Sequence, residues 1–142
     1  MSKKKKNKEE KRGGALAKEI EKLVSGLYYI SETDSEIFPF VGGKAGGVTK
    51  EIVLKQTKSE PDSEIEERNF EEFFSRLTKI EDWFGEEEIE AARKFAALKE
   101  LLQKKLRDLK VFKIGQIELD IYAVGLDSEN VLMGIKTKAV ET

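Results

Sequence analysis

Gly115-Gln116-Ile117-Glu118-Leu119-Asp120-Ile121-Tyr122-Ala123-Val124-Gly125 is the stretch from which the fold is read. Ile117, Leu119, Ile121 and Ala123 alternate with Glu118, Asp120 and Tyr122, the two-residue period of a strand with one apolar and one polar face. Glycines close it at both ends. Val111–Ile114 precedes it and Val131–Val140 follows, so three strand-like runs end the chain, separated by Gly115 and by the turn-forming stretch from Gly125 to Asn130.

Upstream the period changes. In residues 15–27, Leu16, Ile20, Leu23, Val24 and Leu27 recur at helical spacing. Ser31 to Glu36 is a loop rich in side chains that bond nearby backbone. Ile37–Val41 reads as a short strand, with Pro39 marking an edge or a bulge. Gly42 to Gly47 reads as a turn, and Val48 to Thr57 as a second strand with Val48, Ile52 and Leu54 inward. Residues 58–68 form a charged loop around Pro61. Asn69 followed by Glu72 resembles a capping box and opens a helix on which Phe70, Phe73, Phe74 and Leu77 share a face. That helix loosens toward Asp82-Trp83-Phe84 and stops at Gly85. The longest helix is expected from Glu86 to Leu109, with Ala91, Phe95, Leu98, Leu102 and Leu106 as its buried stripe. Its acidic first turn and basic last turn suit the helix dipole. Interleaved helices and strands with a strand-rich end argue for one α+β or layered α/β domain.

Composition removes whole classes of chemistry. The 142 residues contain no histidine and no cysteine. That excludes Ser-His-Asp and Cys-His catalysis, imidazole proton shuttles, zinc fingers, disulfides and Fe–S ligation. An enzyme would have to work with carboxylates, Lys, Ser, Thr or Tyr. No apolar run approaches the roughly 20 residues that span a bilayer. The basic N-terminus leads into an amphipathic segment instead of a signal peptide, so no membrane association and a cytoplasmic location are expected. Charge is unevenly placed: residues 1–12 hold seven basic and two acidic side chains, a net +5. Residues 13–142 hold 19 basic and 26 acidic, a net −7. An acidic body points away from nucleic acid and toward a basic partner. Residues 1–14 read as a disordered basic tail, either a solubilising extension or a segment for RNA or anionic lipid, and residues 15–142 as the folded domain.

Four features invite a functional reading. Gly42 to Gly47 contains a lysine and precedes Thr49, yet it misses the P-loop spacing and joins two expected strands, so a hairpin turn explains it. Glu118 and Asp120 could hold a hard cation or form an acid/base pair, but such alternation more simply gives a solvated face. Trp83, the single tryptophan, suits either the core or an interface anchor stacked on arginine. The last strand runs through Val140 and leaves Glu141-Thr142, putting a hydroxyl and a carboxylate, oxygen donors that suit Mg²⁺, in a defined place.

The segments Ser25-Gly26-Leu27 with Ser31-Glu32, EIVLKQT (51–57), FFSR (73–76), Asp82-Trp83, Lys94-Phe95, GQIELDIYAVG (115–125) and GIKTKAVET (134–142) together resemble the nuclease A inhibitor (NuiA) family. The resemblance runs over about residues 20–142 in unbroken order. It implies a three-layer α/β/α sandwich with a mixed, largely antiparallel sheet. It also implies a protein without catalysis or cofactor that binds a sugar-non-specific, Mg²⁺-dependent DNA/RNA endonuclease. The complex is expected to be 1:1 and the free protein a monomer. In that family the terminal Thr reaches the nuclease's Mg²⁺ site, which maps to Thr142, with Glu141 beside it. An acidic residue after the first helix maps to Glu32, and a tryptophan that contacts nuclease arginines maps to Trp83. The chain itself would carry no metal site, and its folded body would not bind nucleic acid. The lysine-rich tail, the Gly42–Gly47 loop and the acidic residues around 60–68 depart from the family pattern. A non-catalytic module for a different basic protein is the alternative reading.

Overall fold

The computed structural model describes residues 14–142; the expected basic tail lies outside the described residues except for Gly14, which is already helical. Helix α1 occupies residues 14–24. Then follow β1 (Tyr28–Ile30), β2 (Asp34–Glu36), β3 (Phe38–Lys44), α2 (Lys50–Gln56), β4 (Ile65–Arg68), α3 (Phe70–Thr78) and α4 (Glu86–Lys105). Three long strands finish the chain, β5 (Arg107–Gly115), β6 (Glu118–Leu126) and β7 (Val131–Val140). The main sheet has the order β3-β7-β6-β5-β4, and β1 and β2 form a separate hairpin. Every pairing is antiparallel.

Two apolar clusters, one on each face of the main sheet, make the layers. On one face Leu16, Ile20 and Val24 of α1, Phe70 and Phe74 of α3, and Phe95, Leu98 and Leu102 of α4 pack with Leu119, Ile121, Ala123, Met133 and Ile135. On the other, Val53 and Leu54 of α2 pack with Phe40, Phe112, Val124 and Leu132. With helices on both faces, the architecture is an α/β/α sandwich whose second helical layer is a single short helix. Because α2 is short, it covers only part of its face. That leaves Glu118 and Asp120 of β6 exposed beside half-buried Tyr122, whereas Val124 and Leu126 are buried.

The structure corrects the strand expected over Val48 to Thr57, which is helix α2. Thr49 caps it, its side chain accepting the Ile52 N–H at 3.2 Å. Adjacent Val53 and Leu54 then reach the sheet together, which successive residues of a strand cannot do. Cap and packing override the β-branched residues that suggested a strand. The charged loop over 58–68 is corrected in part, since Ile65–Arg68 adds edge strand β4 to β5. The Asn69 cap is present, accepting the Glu72 N–H at 3.0 Å. Helix α3 nevertheless ends at Thr78, short of Gly85, and Glu81 to Phe84 form a separate turn through Phe84 N–H and Glu81 C=O. Helix α4 stops at Lys105, and β5 already starts at Arg107.

Gly134 sits in the interior strand β7, opposite Val124 on one side and Phe40 on the other. A Cβ at this position would overlap the Ala123 carbonyl oxygen of the neighbouring strand. Gly134→Ala is therefore expected to lose cooperative folding, whereas Gly46→Ala, with nothing within 4 Å of its added carbon, should melt like the parent. Circular dichroism melts of the two variants check this.

Candidate functional site

The end of β7 is an uneven place in the sheet. β3 pairs with β7 only as far as Lys136, opposite Phe38, while β6 continues alongside to Val140, opposite Glu118. The outer side of the last β7 residues thus lacks a regular strand partner, and their backbone groups must be satisfied otherwise. The turn between β1 and β2 supplies the partners. The Ser31 hydroxyl accepts the Val140 N–H at 3.0 Å, and the Glu32 N–H donates to the Val140 carbonyl at 3.2 Å. Further along, the Glu32 carboxylate accepts the Thr142 N–H at 2.6 Å and the Thr142 hydroxyl at 2.9 Å. On the opposite side the Glu141 N–H donates to the Ile117 carbonyl at 3.0 Å. Side-chain oxygens therefore continue the ladder where no strand is present.

Of the residues singled out from sequence, Glu32 and Thr142 come together in direct hydrogen bonds, and both are exposed. Glu141 adjoins them in the chain, but its side chain turns to the helical side and forms an ion pair with Lys113 at 2.9 Å. The Lys113 side chain is only 13% exposed, so this pair is better shielded from solvent than an ordinary surface bridge. Trp83 stands elsewhere, in the turn between α3 and α4, 75% exposed and edge-on to Phe84. It is an exposed aromatic and not core. Arg76 and Leu77, in the last turn of α3 leading to the Trp83 turn, line a depression of about 170 Å³ together with Tyr29, Lys113 and Glu141. Tyr29 stacks on Phe73 with ring centroids 5.7 Å apart, tying the β1–β2 hairpin to α3. Burial raises the Tyr29 phenol above its ordinary pKa near 10; the Glu141 charge adds to the rise and Arg76 opposes it.

Sequence reasoning missed Ser31 and Lys113 as supports of the chain end. The stretch Ser31–Glu36 is expected as a loop, which strand β2 (Asp34–Glu36) corrects in part, and Ser31 is expected to bond locally. It does so, donating to the Thr33 carbonyl at 3.2 Å, but the same oxygen accepts from Val140, 109 positions away. Nothing local in sequence signals the second bond.

The remaining candidates look different once placed. Gly42, Gly43 and Lys44 belong to strand β3, and only the rest of the Gly42–Gly47 segment leads on to helix α2, which corrects the turn between two strands expected for it. Two of its amides are already engaged: Gly43 N–H with the Gln56 side chain at 2.8 Å and Ala45 N–H with the Asn130 carbonyl at 2.9 Å. They are not directed at a phosphate. Glu118 and Asp120 stand on the open half-face of the sheet, Asp120 opposite Lys138. No group of three or more His, Cys, Asp or Glu among the described residues could hold a metal ion. No helix among them is long and apolar enough to cross a membrane.

Two outcomes follow from this geometry. Trp83→Ala should change stability by less than about 0.5 kcal/mol in a thermal or denaturant melt, because little of the side chain is packed. The raised Tyr29 pKa means that the folded state holds the phenolic proton more tightly than the unfolded state. Its contribution is complete below pH 10 and is lost as pH rises through the folded value. The stability measured by denaturant should therefore fall above pH 10. Tyr29→Phe should remove only part of that fall, since burial and Asp120 also raise Tyr122.

A family model described as NuiA, nuclease A inhibitor-like protein, matches residues 14–142, and the chain belongs to that family. Among curated proteins nothing matches the chain.

Proposed function

We propose that this member of the nuclease A inhibitor-like family is a non-catalytic cytoplasmic protein that binds a sugar-non-specific, Mg²⁺-dependent DNA/RNA endonuclease. In this reading it forms a 1:1 complex and blocks the active site with Thr142 and Glu32. The observation that carries the reading is the direct hydrogen bonding of Glu32 to Thr142, residues 110 positions apart in sequence. Two groups singled out for one task at a metal-dependent centre share one exposed spot. Family membership supports the general role.

The chemistry of the partner explains why such a spot would work. A nuclease that grips phosphodiesters around a divalent ion presents a basic cleft. Glu32 and the end of the chain offer oxygens where scissile phosphate oxygens would lie. Trp83, protruding from its turn, offers a π-face to guanidinium groups that otherwise hold the nucleic acid. Glu141, next to Thr142 in the chain, is held by Lys113, which offsets its charge, so the negative charge at this spot comes from Glu32. The net −7 of residues 13–142 would draw the two proteins together over distance.

Four measurements test the proposal. Extending the chain beyond Thr142 by a short Gly-Ser tag should weaken inhibition on the order of a hundredfold, as for loss of a hot spot of roughly 3 kcal/mol. Removing residues 1–12 should change it by less than about threefold, as expected for a segment outside the contact. Full inhibition by the tagged protein would overturn the Thr142 mechanism. For Trp83→Ala, roughly 2 kcal/mol of binding energy should be lost with the fold retained. Association measured by stopped flow should slow steeply with added salt, since opposite charges steer the encounter; a flat response would remove electrostatic steering from the proposal.

A further inference from the structure

Val140, Glu141 and Thr142 alternate in the directions that their backbone groups face. The N–H and C=O of Val140 and the N–H of Thr142 meet the Ser31–Glu32 turn, whereas the N–H of Glu141 meets Ile117 on the β6 side. This is the alternation of a strand in mid-sheet, although on the Ser31–Glu32 side much of the pairing comes from side chains. Past the Thr137 hydroxyl, which reaches the Glu36 carbonyl, Ser31 is the first group that bonds a backbone N–H of β7 after β3 has left the ladder. Its oxygen accepts from Val140 and donates to the Thr33 carbonyl, and it also lies 3.4 Å from the Thr33 N–H. Beside the bonds that Glu32 makes to Val140 and Thr142, this oxygen ties the turn to the end of β7 one residue before Glu32 and two before Thr142.

From this arrangement we infer that Ser31 is a positioning residue for the inhibitory end of the chain. It fixes the spacing between the Glu32 carboxylate and the last β7 residues, so that Thr142 is held in place before any partner arrives. The inference rests on the proposed function for its consequence in binding, but the positioning itself is a property of the free protein. Ser31 carries no charge and is not required to touch the nuclease. Its loss should therefore leave the electrostatic encounter unchanged and shorten the lifetime of the complex, because an unanchored end must be ordered at each binding event. Removing one hydrogen bond that holds the segment should cost roughly tenfold in residence time. A threonine keeps the hydroxyl, so Ser31→Thr should recover most of it.

The test compares the full chain with Ser31→Ala and Ser31→Thr. Amide hydrogen exchange read by NMR on the free proteins is expected to show Val140 and Thr142 losing protection in Ser31→Ala. The amides of β5 and β6 should remain protected, and Ser31→Thr should restore the two that were lost. Binding kinetics against a Mg²⁺-dependent non-specific endonuclease should show an unchanged association rate and a dissociation rate roughly tenfold higher for Ser31→Ala. A residue that merely stabilised its own turn would lower the melting temperature without this split in rates or this local loss of protection. Unchanged Val140 and Thr142 exchange in Ser31→Ala overturns the inference. If the unmodified protein does not inhibit the nuclease, the proposed function fails, while the exchange measurement still decides whether Ser31 positions the chain end.

Discussion

A β-strand has hydrogen-bonding groups on both sides, and a strand inside a sheet must have both sides satisfied. β7 is flanked by β3 and β6, and the whole main sheet is assembled around that constraint. β3 serves one side from Val131 to Lys136 and then ends its pairing. The Thr137 side-chain hydroxyl donates to the Glu36 carbonyl at 2.8 Å, tying β2 to β7 just past the point where β3 leaves off. The Ser31–Glu32 turn completes the sequence at Val140 and Thr142. The small β1–β2 hairpin, which makes a sheet with nothing else, is therefore the device that finishes β7. Tyr29 stacking on Phe73 anchors the hairpin to the α3 layer, so the layer on one face also holds the tip of the sheet.

The two outer edges of the same sheet are blunted by different means. β4 is only four residues long and carries Glu66, Glu67 and Arg68, charges that disfavour pairing with another strand. β3 is longer and less polar, but Pro39 removes one donor. The Gln56 side chain bonds Gly43 N–H and the Lys44 carbonyl at the far end of the strand. Helix α2 thereby does two things. Its Val53 and Leu54 fill the second apolar cluster, and its last residue closes an edge.

Much of the main sheet was legible in sequence because its signals are periodic and local. The alternation from Glu118 to Ala123 reports the two faces of β6, although Ile117 lies outside the strand and is exposed, and the Phe70, Phe73, Phe74 and Leu77 spacing reports the inward face of α3. The segment from Val48 to Thr57 reads as a strand because the seven residues of α2 within it are too few to separate two periods when Ile52 and Val53 are β-branched. The deciding contacts, with Phe112, Val124 and Leu132, come from strands more than 50 positions away. The candidate site divides in the same way. Trp83, Glu141 and Thr142 stand out by residue type and placement, Glu32 only by the family resemblance, and each residue type suits a basic, ion-dependent partner. The joining of Glu32 to Thr142 and the bond from Ser31 to Val140 could not be read, because a hydrogen bond over more than a hundred positions leaves no period and no spacing.

That long-range contact also fixes how the Thr142 hydroxyl is turned. A hydroxyl has one proton and two acceptor lone pairs. Here the proton is directed to the Glu32 carboxylate, with both carboxylate oxygens 2.9 Å from Oγ1. The acceptor side of the oxygen is then left facing away from Glu32, and donation to a carboxylate makes the oxygen a better electron donor, as carboxylate partners do for the ligands of metal sites. A hard cation such as Mg²⁺ prefers such oxygens and tolerates little misplacement. In the proposed complex Glu32 thus has two separable effects: it contributes negative charge near the ion, and it sets the rotation of the one hydroxyl that would approach it. The acidity of the body brings a basic partner near, but only the second effect distinguishes this end of the molecule from any other cluster of carboxylates on its surface.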